Sequence, residues 1–276
     1  MQNNLSQSFA DPAHSSNSME LREWATRILS GTTLNEKLLS PTHFTDYNPG
    51  TAKVWKEPAR PPGMGFKKRT QQEKLPPFHE HGSESKRAIC LHRFAGHELL
   101  AVEIMASALL RFPKAPKSFR KGIAYTIKEE QGHVKLYLNR MRQLNLKLED
   151  LPLYRHFWCH TPYLTTPLSY ISAMHLTFEM ANLDFAPMYG QSFERFGDHL
   201  SAAVMKQIVK DEISHVAFGW RWFKKFNHNT GEDWEVWKEN LSPLLTPKRA
   251  RGFSFNKDNR LQAGLSSEFI QSLQSL

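Results

Sequence analysis

Apolar residues recur at helical spacing through most of the chain. In the first run, Met19 to Leu29, the residues Leu21, Trp24, Ala25 and Ile28 fall at i, i+3, i+4 and i+7 and Gly31 follows as a stop, which predicts an amphipathic helix. A short second helix is expected over Leu34 to Leu39. From Lys86 onward the spacing supports four long helices, roughly Lys86–Phe112, Ser118–Leu144, Leu168–Phe196 and Asp198–Phe226. Pro113 and Pro116 end the first, and Gly197 followed by Asp198 supplies a terminating glycine and an N-cap between the last two. Alternating polar and apolar runs, the mark of strands, are almost absent, so the expected class is all-α.

Two stretches depart from this pattern. Residues 1–18 are polar and low in complexity, and are expected to form a disordered tail. Between Pro49 and Pro77 the chain carries six prolines with Lys53, Lys56, Arg60, Lys67, Lys68 and Arg69, which excludes helix and central strand and predicts an extended arm lying over something else. The division expected is therefore a tail (1–18), an N-terminal helix with a Pro-rich basic arm (19–85), a helical bundle (86–228), and an extension (229–276) containing Trp234 and Trp237 that packs back on the bundle.

Polar residues inside the apolar stripes carry the chemistry. Glu130-Gln131-Gly132-His133 and Glu212-Ile213-Ser214-His215 are both Glu-x-x-His units, which place acid and imidazole on one side of a helix. About one such unit is expected by chance in a chain of this composition. Both, however, lie in otherwise apolar stripes, Ile123, Ile127 and Val134 around the first and Met205, Ile208 and Val216 around the second. The other two long helices each place an acid in the same way, Glu98 and Glu179. Thirty-two residues separate Glu98 from Glu130 and thirty-three separate Glu179 from Glu212, so the chain reads as a duplicated helix hairpin. At about 1.5 Å per residue Glu98 stands level with Glu130 across its hairpin, whereas Asp184 matches Glu212 better than Glu179 does; Glu179 is retained by symmetry with Glu98. Core-facing carboxylates are costly unless paired or bound to a cation, and the stripes offer no matching Lys or Arg. A Glu from each of two helices plus Glu-x-x-His from each of the other two is the inward ligand set of ferritin-like di-iron and di-manganese bundles.

Further acids follow five residues on, Glu103 after Glu98 and Asp184 after Glu179. For these, direct metal binding and a half-buried hydrogen bond to a neighbour stay equally open. His92, His97 and His175 read as core or supporting histidines, and Tyr137 as core or as a redox neighbour of the metals. The basic clusters Arg111–Lys121 and Lys53–Arg69 read as solvated surface.

Several stretches together resemble the ferritin-like superfamily of di-iron carboxylate proteins, and within it a bacterial family of ferritin-like proteins of unknown function. They are Phe94 to Glu103, Leu110 to Pro113, Glu129 to His133, Phe178 to Asp184, Asp211 to Val216, Phe255-Asn256 and Ala263-Gly264. The resemblance implies a ferritin-like four-helix bundle and a metal site at Glu98, Glu130, His133, Glu179, Glu212 and His215. It also implies that the acid before each Glu-x-x-His, Glu129 and Asp211, hydrogen-bonds a metal-bound imidazole of the opposite half, Asp211 to His133 and Glu129 to His215. Such contacts fix the tautomer and orientation of a ligand. Glu129 stands where the commoner residue is Asp.

An oxygen-rich set with two histidines suits two iron ions, with manganese or a mixed pair as the alternative, rather than a structural zinc. The expected function is a di-iron oxidase or oxygenase using dioxygen, an unidentified small-molecule substrate and an electron-donor protein. A tRNA-modifying hydroxylase and non-catalytic iron storage are the alternatives. The net charge of +9 is the one feature that favours tRNA. Tight nucleic-acid binding is nonetheless not expected, because only Phe112 and Phe119 are interleaved with the cations of Arg111–Lys121. Cys90 and Cys159 form no metal or redox pair, and no membrane span or secretory signal is evident. A cytoplasmic protein is expected, and a homodimer is compatible with this reading.

Overall fold

The computed structural model describes residues 18–67, 74–228 and 231–276. The tail expected over residues 1–18 lies outside them apart from Ser18, as do Lys68 and Arg69. Among the described residues the protein is all-α, save for a parallel pair of three-residue strands, β1 (Ser18–Glu20) and β2 (His43–Thr45). Met19 and Glu20, assigned to the first helix by apolar spacing, belong to β1. There the Glu20 carboxylate accepts from Thr45 Oγ1 at 2.7 Å and from the Asn48 amide at 3.1 Å. The helix α1 (Leu21–Ser30) then buries the expected face of Leu21, Trp24, Ala25 and Ile28. A short helix, α2 (Leu34–Leu38), starts on a Thr33/Glu36 capping box.

Four long helical rods follow. The first two are α3 (Glu84–Arg111) and α4 (Lys117–Gln143). The third is interrupted, running as α5 (Pro167–Ala173), a π-helical segment (Met174–Glu179) and α6 (Met180–Arg195); the fourth is α7 (His199–Phe226). Helix α3 packs along α4, α6 packs along α7, α4 meets α7, and α1 lies on α3. The last hairpin turns on Gly197, whose φ of 76° suits a residue without Cβ, and on Asp198, which accepts from the Ser201 amide at 2.9 Å.

The core divides into two apolar halves. One holds Phe119, Tyr170 and Trp222, the other Phe94, Tyr137 and Met205. The break falls between Leu99 and Leu100 on α3, between Ile127 and Val134 on α4, and between Ile208 and Val216 on α7. Those are the levels at which the sequence places Glu98, Glu130, His133, Glu212 and His215.

The arm lies extended on this body, as its prolines require: residues 49–67 and 74–77 contain no helix. The amides of Lys53, Ala59 and Lys67 donate to the carbonyls of Leu110, Leu29 and Leu153 at 2.8–2.9 Å. Reading the basic clusters as solvated surface needs correcting at three positions. Arg60 is buried against Glu103. Arg120, 1% exposed, grips both Asp46 oxygens and donates to the carbonyls of Leu109 and Phe112. Arg111 donates to the carbonyls of Thr161 and Leu164. Carbonyls at a helix end lack intrahelical partners, and for α3 Arg120 supplies the donors. The chain closes with α8 (Asp233–Glu239), α9 (Lys257–Gln262) and α10 (Ser267–Gln274), of which α9 packs against α6 and α7. No helix among the described residues is long and apolar enough to cross a membrane.

Candidate metal centre

The six residues singled out by spacing converge at the break between the two apolar halves. One ligand atom each from Glu98, Glu130, His133 and Glu212 lies within 4.8 Å of the others, and the same holds for Glu130, Glu179 and His215. All six are buried. Glu130 belongs to both groups, so one carboxylate stands between two clusters of donors.

The contacts around the imidazoles separate an inner from an outer side. His133 Nε2 meets Asp211 Oδ2 at 3.0 Å and His215 Nε2 meets Glu129 Oε2 at 2.8 Å. These are the cross-half pairings drawn in the sequence, and Glu129 reaches its partner although its side chain is half exposed. The inner Nδ1 atoms of both imidazoles are buried without a hydrogen bond, and so are both Glu130 oxygens, Glu179 Oε1 and Glu212 Oε2. Nδ1 of His215 approaches Glu130 at 3.1 Å and Glu212 at 3.5 Å, and Nδ1 of His133 approaches Glu130 at 3.4 Å, without hydrogen-bond alignment. Buried polar atoms almost always find partners. A set of inward-facing oxygens and imidazole nitrogens that lack them, with the outer nitrogens already engaged, is the donor set that a pair of divalent ions needs. The residues present therefore fit two metal ions.

Electrostatics point the same way, since the cluster attracts positive charge. Burial, then the Glu130 and Glu212 carboxylates, push Glu98 well above the usual carboxylate range. Burial also pushes Glu212 up to about 7, with Glu130 adding to the rise and His215 opposing it. Burial acts on Glu130 in the same direction but is outweighed by His133 and His215, which hold that carboxyl below its ordinary range. Burial likewise disfavours a charged His133 or His215, yet the acids around each raise both imidazoles well above their ordinary value.

Glu179 owes its place to the π-helical segment that it ends. Counted from the hairpin turn it stands about 25 Å along its rod at 1.5 Å per residue, level with His215 rather than with Glu212, and this explains the poor match to Glu212 in the sequence. The π-helical segment ends on Glu179, which is buried in the cluster with Glu130 and His215. Glu179 Oε2 contacts His175 Nδ1, whose other nitrogen lies 3.2 Å from the Tyr170 hydroxyl. Gly219 on α7 makes room, because a Cβ there would sit 2.3 Å from that of His175. Asn182, one turn beyond Glu179, donates to Glu212 at 2.8 Å. Spacing was the available signal for Asn182, and a carboxamide in an apolar stripe did not stand out from sequence alone.

Glu103 and Asp184 lie outside both donor groups, each held in an ion pair. Glu103 is paired with Lys37 of α2 at 2.8 Å and with Arg60 of the arm. Asp184 is held by Arg260 at 2.7 and 2.9 Å and by the amides of Gly252 and Asn256, all from the C-terminal extension. Buried cations do therefore accompany these two acids, whereas Glu98, Glu130, Glu179 and Glu212 have no Lys or Arg ion pair among the described residues. The cations come from other parts of the chain. His92 bonds the Leu148 carbonyl at 2.9 Å, away from the cluster. Tyr137 donates to Met205 Sδ at 3.6 Å. It also lines, with Glu98, Glu179 and His97, a cavity of about 350 Å³ walled by Phe94, Phe157 and Phe178.

Residues 13–271 match the family described as "Protein of unknown function (DUF455)". An uncharacterized protein of Haemophilus influenzae is 23% identical over 200 residues, covering 69% of this chain and 68% of the relative. No solved structure matches the chain.

Proposed function

The chain belongs to the family of proteins of unknown function DUF455, and from its own residues we propose that it is a ferritin-like four-helix-bundle protein whose paired metal centre oxidises or hydroxylates a small organic substrate. One observation carries the reading: the inner atoms of Glu130, His133, Glu179, Glu212 and His215 are buried and unpartnered around a shared carboxylate. Two iron ions held there, or manganese in their place, would supply redox chemistry toward dioxygen. Asp211 and Glu129 orient the two imidazoles and keep Nδ1 facing inward. Glu130 offers an oxygen to each side. The aromatic walls of the adjoining cavity exclude water and leave room for an organic substrate beside Glu98 and Glu179. That cavity favours substrate oxidation over iron storage. Engagement of Arg111 and Arg120 within the fold weakens the case for a tRNA substrate.

Elemental analysis after anaerobic reconstitution tests the centre. About two ions per chain are expected, falling below one in Glu130→Ala and His215→Ala while circular dichroism still reports a helical protein, since the apolar halves carry most of the stability. Full metal content in both variants would remove the ligand assignment. Spectra of reduced and oxygen-exposed protein then distinguish iron from manganese.

A further inference from the structure

The cavity beside the cluster has one wall that the metal reading leaves unused. Arg249 sits on the short turn Pro247–Ala250, and its guanidinium lies 5.5 Å from the ring centroids of both Phe157 and Phe178. Its Nη1 is buried with no hydrogen-bond partner, and no acid among the described residues forms an ion pair with it. The contrast with the fully buried guanidiniums is plain: Arg120 has Asp46 and two carbonyls, and Arg260 has Asp184. Burial lowers Arg249 to about 10, which leaves it charged at neutral pH. The neighbouring His160 is pushed down to about 4 by burial and then by Arg249, so it stays neutral beside the guanidinium. A largely buried cation left without a counter-charge is costly, and the cavity around it is walled mainly by aromatic and aliphatic side chains, with Glu98 and Glu179 on its side toward the cluster. Its ligand should therefore bring the missing negative charge on an apolar body. A single unpaired guanidinium suits a single charge and the flat, two-oxygen shape of a carboxylate, to which arginine bonds through paired N–H groups. A doubly charged phosphate would require further free donors, but Lys248 stands exposed and Arg251, the other cation on the lining, donates to the carbonyls of Leu273 and Gln274.

We propose that this cavity binds an apolar monocarboxylic acid, with its carboxylate on Arg249 and its hydrocarbon body against Phe157 and Phe178, directed toward Glu98 and Glu179. The inference rests on the cluster being an oxidising metal centre only for the fate of the bound acid, and its test keeps the two apart. The full chain, metal-free and iron(II)-loaded under anaerobic conditions, is titrated calorimetrically with 4-phenylbutanoate, 4-phenylbutan-1-ol and 3-phenylpropyl phosphate. The acid should bind at least about tenfold tighter than the alcohol. Arg249→Met, which keeps the stem but not the charge, should remove that preference while leaving alcohol affinity, helical content and metal content unchanged, and Arg249→Lys should restore part of it. Equal binding of acid and alcohol, a preference for the phosphate, an unaffected Arg249→Met variant, or no binding of any probe would each overturn the proposal. Arg249-dependent binding of the acid by a protein that takes up no metal would sustain the carboxylate site and overturn the oxidative reading.

Discussion

Glu98 and Glu103 stand five residues apart on α3, and Glu179 and Asp184 stand five apart on the third rod, yet the two members of each pair live under opposite conditions. Five residues are about 140° around a helix, so when one acid faces the centre its companion faces outward, toward whatever covers the rod. Glu103 and Asp184 meet cations there, Lys37 from α2, Arg60 from the N-terminal arm and Arg260 from the C-terminal extension. Glu98 and Glu179 face other acids. The same residue type in the same duplicated frame thus does two jobs. The outer pair fastens the chain's flanking segments to the rods, and the inner pair lies among further carboxylates and imidazoles at the centre.

Removing the outer acids should cost most. Asp184→Ala leaves Arg260, which is fully buried, without its carboxylate and should lower unfolding free energy by about 3–5 kcal/mol, read as a fall in denaturant midpoint. Glu103→Gln should act in the same direction but less, because its amide still accepts from Lys37 or Arg60. A loss below about 1 kcal/mol for Asp184→Ala would show that the two kinds of acid do not differ.

An inner acid should give a smaller effect of opposite sign. In chelator-treated protein Glu212→Gln should raise stability by on the order of 2 kcal/mol at pH 8. The sign follows from its carboxyl being pushed up to about 7: folded protein holds this proton more tightly than unfolded chain, so the wild type loses stability as pH rises from about 4.5 through 7. The variant's advantage should therefore shrink toward pH 5. An advantage that is flat across this range would sink the explanation.

The smallest effect belongs to the residues behind the imidazoles. Glu129→Gln should weaken metal affinity by about tenfold, and Asp211→Asn by more, because Asp211 is the less exposed of the two acids and Gln207 also holds it in place. Competition with a fluorescent chelator measures both. Equal affinities in the variants and the wild type would place the acids outside the site's support.

Much of this contrast was legible in the chain. Two Glu-x-x-His units in apolar stripes, with an acid on each partner helix, marked all six clustered residues, because helical periodicity converts spacing into facing. The cationic partners were not legible: Lys37 lies 66 residues from Glu103 and Arg260 lies 76 from Asp184, and no periodic signal spans such distances. The π-helical segment was hidden as well, since Met174 to Glu179 reads as ordinary apolar helix and appeared only as a level mismatch at Glu179. Strands of three residues are too short to alternate visibly, so β1 was read as the start of α1. Arg249 passed unnoticed because a charge in a short Pro-led turn ordinarily points to water.

The π-helical segment ties distant parts of the gene together. Where its register begins, the Ser172 carbonyl accepts both the Thr177 hydroxyl at 2.6 Å and the indole N–H of Trp237, on α8, at 3.2 Å. A π turn holds more residues than an α turn, and here that turn is braced by a side chain sixty-five positions away. Sequences of this family that lack the π turn should be free to vary at the position of Trp237, whereas those that keep it should retain a donor there. The two positions should therefore change together across lineages.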